Sequence, residues 1–208
     1  MRRLVPHVVR EYGIDQVIDI GSGFPLRPDV VELAQSVKPL AQVLSVDNDP
    51  VVMAHNRALM VGTRLGGTGF IEADIRDPDA ILNDDTTTKT LDLKKPVLLV
   101  VAAVLHFLRE EDDPYGCMAK LIDGLPSGSV VVVTHADETF MTNEFGQPNS
   151  YHGGFQARNR LQVAKFFDGL EMLDPGLASV VDWLPDSEPQ PGSSAAEAAC
   201  YGGAARKR

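Results

Sequence analysis

Gln16 to Asp49 reads QVIDIGSGFPLRPDVVELAQSVKPLAQVLSVDND, and this stretch decides the fold. Val17 to Ile20 is a short apolar run that breaks into Gly21-Ser22-Gly23. A helical pattern follows, and a second apolar run, Val43 to Val46, ends on Asp47. That order predicts a strand, a glycine turn, a helix and a second strand with an acid at its tip, an arrangement suited to a nucleoside-bearing cofactor. Glycines at a strand end let the chain turn sharply and let a ligand approach the backbone. A carboxylate at the next strand tip can accept from both hydroxyls of a ribose, at roughly 1.5–3 kcal/mol for each charge-assisted bond. Twenty-eight positions separate Asp19 from Asp47, room for one helical crossover between parallel neighbours. A lone GxG would read as an ordinary turn; turn, crossover and terminal acid together favour a ligand.

A dinucleotide fingerprint needs a third glycine at position 26, where this chain has Leu26, so a pyrophosphate cradle is incomplete. Asp19 would repel a diphosphate but suits a ligand carrying an ammonium and a sulfonium. The words D-I-G-S-G, ending at Gly23, and V-L-S-V-D, ending at Asp47, resemble motif I and the second-strand acid of class I S-adenosylmethionine (SAM)-dependent methyltransferases. The longer D-I-G-S-G-F-P and V-D-N-D-P are similar to one little-characterised bacterial group in that superfamily. The resemblance implies an α/β, Rossmann-like, doubly wound sheet of seven strands in the order 3-2-1-4-5-7-6, strand seven antiparallel, in three α/β/α layers. It runs along nearly the whole chain, so one domain, 1–208, is expected. Members of the group usually carry a further N-terminal helical segment over the cofactor. This sequence begins inside the helix before strand one, and its region 137–154 looks shortened.

The same resemblance assigns a cofactor site. Asp19, Gly21, Ser22 and Gly23 are expected around the amino-acid portion of SAM, with Asp47 and Asn48 at the ribose. Asp74, after the third strand, is expected to accept from the adenine amino group, with the Ile75 backbone at a ring nitrogen. Val104-Leu105-His106-Phe107 resembles a segment that faces the sulfonium methyl after strand four. His106 is therefore the candidate base or pocket residue, since an ordinary histidine titrates near pH 6.5 and can take a proton from a nucleophile. An equal alternative has it packing at a strand end. His135, with Asp137 and Glu138 nearby, is a candidate for the acceptor pocket. His55 reads as structural, and His152 carries no assignment. The expected reaction is in-line methyl transfer to a small molecule, releasing S-adenosylhomocysteine. The rivals are a non-catalytic SAM-binding module and a nicotinamide-dependent oxidoreductase, the latter disfavoured by Leu26 and Asp19.

Composition narrows the partners. The 208 residues are 44% hydrophobic, enough for one substantial core, and a net charge of −10 argues against a nucleic-acid backbone as partner. The two cysteines, Cys117 and Cys200, have neither zinc-ligand nor disulfide-framework spacing, so a reduced, cytoplasmic chain is expected, without a metal. The longest apolar run, Val97 to Leu105, is far short of the roughly 20 residues that span a bilayer, so no membrane partner is expected. The sequence leaves the oligomeric state and the acceptor open.

Local signals place the remaining elements. Leu4, Val8, Val9 and Tyr12 share a helical face ahead of Gly13, and Asp29 with Glu32 forms a capping pair. Asp49-Pro50, Asp77-Pro78 and Asp113-Pro114 each set a capping carboxylate before a proline suited to a first helical turn. Further strands are predicted over Gly69 to Ala73, Val97 to Ala103 and Ser129 to Thr134. Asn83 to Lys95 reads as a solvated connection, and Gln156 to Phe167 as the final helix. Ala178 to Trp183 and Glu197 to Ala204 read as the last two strands, joined by a Pro/Ser/Gly-rich loop.

Overall fold

A computed structural model describes residues 1–60, 62–138, 155–183, 194 and 198–208. In chain order the elements are α1 (Leu4–Glu11), β1 (Gln16–Ile20), α2 (Val30–Val37), β2 (Gln42–Asp47), α3 (Pro50–Leu59), β3 (Gly67–Glu72), α4 (Pro78–Asn83) and α5 (Asp85–Thr90). They continue with β4 (Leu98–Ala102), α6 (Pro114–Asp123), β5 (Val130–Ala136), α7 (Arg160–Ala164), β6 (Glu171–Met172), β7 (Ala178–Ser179) and β8 (Cys200–Arg206). Short 3₁₀ turns lie at Leu105–Phe107, Glu110–Asp112 and Lys165–Phe167.

Helix starts follow the sequence closely. Asp49 accepts from the N–H groups of Val51 and Val52, Asp77 from Ala80 and Asp113 from Gly116, each with proline next in the chain. Asp29 and Glu32 form the reciprocal capping box that opens α2. These bonds satisfy donors that a helix leaves unpaired in its first turn.

The sheet order is β3-β2-β1-β4-β5-β8-β6, with β7 also paired to β8. β1 to β5 pair in parallel, and β8 runs antiparallel to β5, β6 and β7. This is the expected 3-2-1-4-5-7-6 arrangement, with the sixth strand divided into two short pieces. Alternation along the strands feeds two cores. Ile18, Ile20, Leu99, Val101, Val131 and Val133 face one helical layer, while Val17, Leu98, Val100, Val130 and Val132 face the other. Strands apolar on both faces are what a sheet covered by helices on both sides requires. The strand order reverses between β1 and β4, which leaves a crevice beyond their carboxyl ends.

Three local expectations differ. Asn83 to Lys95 is not merely a solvated connection: Asp84 caps α5 through the Thr86 N–H, and Thr87 is buried with its hydroxyl donating to the Ile81 carbonyl at 2.6 Å. The last helix begins at Arg160 rather than Gln156, because Asn159 and Gln162 form a capping box. The strand expected over Ala178 to Trp183 is only Ala178–Ser179, and its partner runs on to Arg206. The Pro/Ser/Gly-rich joining loop, His152, and most of the region 137–154 lie outside the described residues. Among the described residues no helix is long and apolar enough to cross a membrane.

Candidate cofactor site

A cavity of about 480 Å³ opens beyond the carboxyl ends of β1, β2, β3 and β4. Gly21, Gly23, Asp47, Asn48, Asp74 and Ile75 line it. Asp19 and Ser22 line a second cavity of about 350 Å³ beside the same glycine turn. His106 lines neither of the two.

Gly21 makes the turn possible in two ways. Its φ is 66°, in the left-handed region that costs an L side chain roughly 1–2 kcal/mol, and a Cβ there would fall inside the Val104 side chain. The N–H groups of Gly21 and Ser22 both donate to the Val46 carbonyl, at 2.8 and 3.1 Å, which pins the turn to β2. Asp47 completes that pinning. Its Oδ2 accepts from the Gly23 N–H at 2.8 Å and its Oδ1 from the Asp49 N–H at 3.0 Å. Each carboxylate oxygen has room for two bonds, so one acceptor position on each remains for a ligand hydroxyl.

Asp19 is buried at the end of β1. Burial, with the negative charges of Asp29 and Asp47 behind it, pushes its carboxyl up to about 7. It stands in register with Ser45 on β2, whose buried hydroxyl has no partner among the described residues. On α3 the buried Asn56 amide donates to the Ser22 hydroxyl at 2.9 Å, while its own oxygen is left unpartnered. A hydroxyl and an amide oxygen without partners among the described residues, beside a carboxyl under the charges of Asp29 and Asp47, suit a cationic group such as an ammonium.

Asp74 stands at the far side of the main cavity. Arg76 grips it through its backbone N–H, Nε and Nη2, and the Asn48 amide adds a fourth bond at 2.8 Å. The Arg76 bonds foremost hold the Asp74 carboxyl down to about 2.

The segment after β4 forms the remaining wall. Ala103 adopts φ 59°, and its N–H bonds to the Thr134 hydroxyl and carbonyl. This sharp turn carries Val104 against Gly21, and Phe107 and Leu108 into the cavity wall. His106 itself is buried. The Ala136 N–H points at its Nδ1 at 3.4 Å, and its ring lies 4.7 Å from Phe155. Burial first, and then the Arg158 charge, lower its pKa to about 4. His135 is also buried and neutral. Arg158 can only donate to its Nε2, at 3.1 Å, so its Nδ1 carries the proton and donates to the Ala136 carbonyl at 2.6 Å. His55 lies on the exposed face of α3, edge-on to Phe24.

Arg158 has no sequence pattern that marks it as a site residue. It is fully buried, and all five of its N–H donors are used: on the Leu105 and Leu108 carbonyls, on His135, and twice on Glu110. Nothing local marks it, because its partners come from positions 23 to 53 residues away. Arg76 likewise carries no such pattern, although it lies two residues after an assigned acid.

A glycine turn, a ribose-type acid and a third-strand acid around one cavity at the switch point of this sheet define a class I SAM-dependent methyltransferase. The chain belongs to the S-adenosyl methyltransferase family, whose pattern matches residues 1–208. It is similar to a DUF574 family protein from Streptomyces avermitilis, at 37% identity and TM-score 0.91, over 100% of this chain and 80% of that one. A candidate methyltransferase from Thermobifida fusca matches at 30% identity and TM-score 0.85, covering 100% of this chain and 78% of its own. More distantly, the N-methyltransferase NodS from Bradyrhizobium japonicum, in complex with S-adenosylhomocysteine, shares the fold at 14% identity and TM-score 0.54, over 93% and 78% of the two chains. No curated protein matches. The protein is thus a SAM-dependent methyltransferase, and SAM is its cofactor.

Proposed function

We propose that this single-domain enzyme moves the methyl group of SAM onto a small-molecule acceptor by in-line displacement, the cofactor lying along Asp19, Gly21, Ser22, Gly23, Asp47, Asn48, Asp74 and Ile75. The observation that carries this reading is that the ends of four neighbouring parallel strands deliver Gly21, Asp47, Asp74 and Val104 to one cavity. When bound, the cofactor supplies a methyl group on a cationic sulfur. The chain's own task is placement. Asp47 offers one acceptor position on each oxygen to the ribose hydroxyls. Asp19, Ser22, Ser45 and Asn56 offer a polar surround for the ammonium. Val104, Phe107 and Leu108 form an apolar wall that keeps water from the reacting end.

Alignment of reactants can lower a barrier by about 7–11 kcal/mol, so no strong base is required of the protein. The geometry at His106 agrees with that economy. Its Nδ1 is taken by a backbone N–H and its pKa is low, which supports a role packed behind the Phe107–Leu108 wall more than one as a proton acceptor. The −10 net charge supports a small acceptor over a nucleic acid.

The test has two arms. Asp47→Ala, with its fold verified by circular dichroism, is expected to weaken S-adenosylhomocysteine binding at least tenfold in calorimetry; wild-type affinity in that variant would remove the ribose assignment. A panel of small amines, phenols, carboxylates and thiols, read by S-adenosylhomocysteine release, should contain an acceptor. Release only with RNA or protein added would contradict the small-molecule reading.

A further inference from the structure

The Asp74 carboxylate offers four lone-pair positions, and four donors fill them. The Arg76 backbone N–H and Nε both lie 2.9 Å from Oδ1, while Arg76 Nη2 at 2.6 Å and Asn48 Nδ2 at 2.8 Å bond Oδ2. An exocyclic amino group entering this end of the cavity therefore finds no free acceptor on Asp74. Two of the four donors belong to the Arg76 side chain, which itself lines the cavity and is half exposed. That side chain also has a second partner in reach. Its Nη1 lies 3.5 Å from Asp112 Oδ1, on the turn Glu110–Asp112, and the other Asp112 oxygen is held by the Arg109 N–H at 2.8 Å.

Resting on the cofactor reading above, we propose that Arg76 is a specificity-determining residue. It exchanges Asp74 for Asp112 when an adenine amino group arrives, and stays on Asp74 to meet a base that bears a carbonyl at that position. With the guanidinium in place, the rim of the cavity presents donors. With the guanidinium moved aside, it presents the acceptors of Asp74. The switch costs little charge separation because both partners are carboxylates. Its consequence is that the wild-type protein discriminates weakly between amino and carbonyl at this edge of the base, and a chain without the guanidinium discriminates strongly.

Two probes of equal charge and nearly equal shape test this: S-adenosylhomocysteine and its deaminated analogue S-inosylhomocysteine, titrated by calorimetry into wild type and Arg76→Met. Arg76 is a surface residue, and thermal melting of each variant checks its fold. The expected result is that Arg76→Met binds S-adenosylhomocysteine several-fold tighter and the inosyl analogue several-fold weaker, raising the affinity ratio at least tenfold. Arg76→Lys, which keeps a movable donor, should hold the ratio near the wild-type value. An unchanged or lowered ratio in Arg76→Met, with wild type binding S-adenosylhomocysteine, overturns this inference alone. Wild-type protein that binds neither probe overturns the cofactor assignment and this inference with it.

Discussion

At Asp19 the fold holds a carboxyl where solvation is poor and the charges of Asp29 and Asp47 oppose its own. Its folded pKa of about 7 lies above the unfolded value of 3.8. The native chain therefore binds more protons than the unfolded chain between those two values, and the stability Asp19 contributes below pH 3.8 is lost as pH rises through about 7. Asp19→Asn, which keeps the shape without the charge, should raise the melting temperature at pH 8 and change it little at pH 5. Cofactor binding should respond in the opposite sense. An ammonium favours the carboxylate, so S-adenosylhomocysteine affinity is expected to strengthen as pH rises towards 7 in the wild type, and to lose that dependence in Asp19→Asn. A wild-type protein whose affinity ignores pH below 7 would contradict the pairing. Gly21, by contrast, tolerates no side chain. Gly21→Ala adds a left-handed alanine, at roughly 1–2 kcal/mol, to a collision with Val104, and should abolish binding as well as lower the melting temperature. Both residues were legible, because a strand end followed by G-x-G with an acid before it is a short local pattern. Leu26 was equally informative. It is exposed where a third dinucleotide glycine would stand, and the family match agrees with the reading it supported.

Elements came out of the sequence in proportion to how local their causes are. The three Asp-Pro caps and the Asp29–Glu32 box each involve bonds within three residues, and all formed as expected. α5 did not follow from its composition. Four threonines weigh against a helix, yet burial of Thr87 beneath the Ile81 carbonyl outweighs that propensity. The segment before α7 escaped for a related reason. Residues 155–159 are non-helical, and in them Arg158 ties the whole post-β4 wall to β5. Arg158→Met should leave the Leu108 carbonyl and the His135 Nε2 without the donors they have, at roughly 1–3 kcal/mol for each buried group, and the Leu105 carbonyl with the Leu108 N–H alone. The half-exposed Glu110 adds little to that loss. The expected outcome is a marked fall in melting temperature, with weakened S-adenosylhomocysteine binding as the Phe107–Leu108 wall loosens. A second readout separates this from simple loss of packing. The Arg158 charge is one of the causes holding both histidines near 4, so nuclear magnetic resonance titration of a folded variant should find His106 titrating at higher pH than in the wild type. Unmoved histidine titrations would contradict the proximity of the guanidinium.

Over the whole molecule, apolar runs that alternate with capped helix starts suit a parallel sheet covered on both sides, and the two cores on its faces match that pattern. Strand order was beyond periodicity. It depends on which strand ends find one another across the chain, and only the resemblance supplied the expectation that β8 lies between β5 and β6. That order matters because it places the crevice between β1 and β4, so that residues far apart in sequence, Asp47 and Val104 among them, line one cavity. The reaction's demands on the protein follow from this placement more than from any single acid or base. The most direct measurement is therefore calorimetric titration of the wild-type chain with S-adenosylhomocysteine, with NAD as the control. One saturable site of micromolar affinity for S-adenosylhomocysteine and no heat with NAD are expected. A folded protein that binds NAD, or that leaves S-adenosylhomocysteine unbound, would contradict the cofactor assignment.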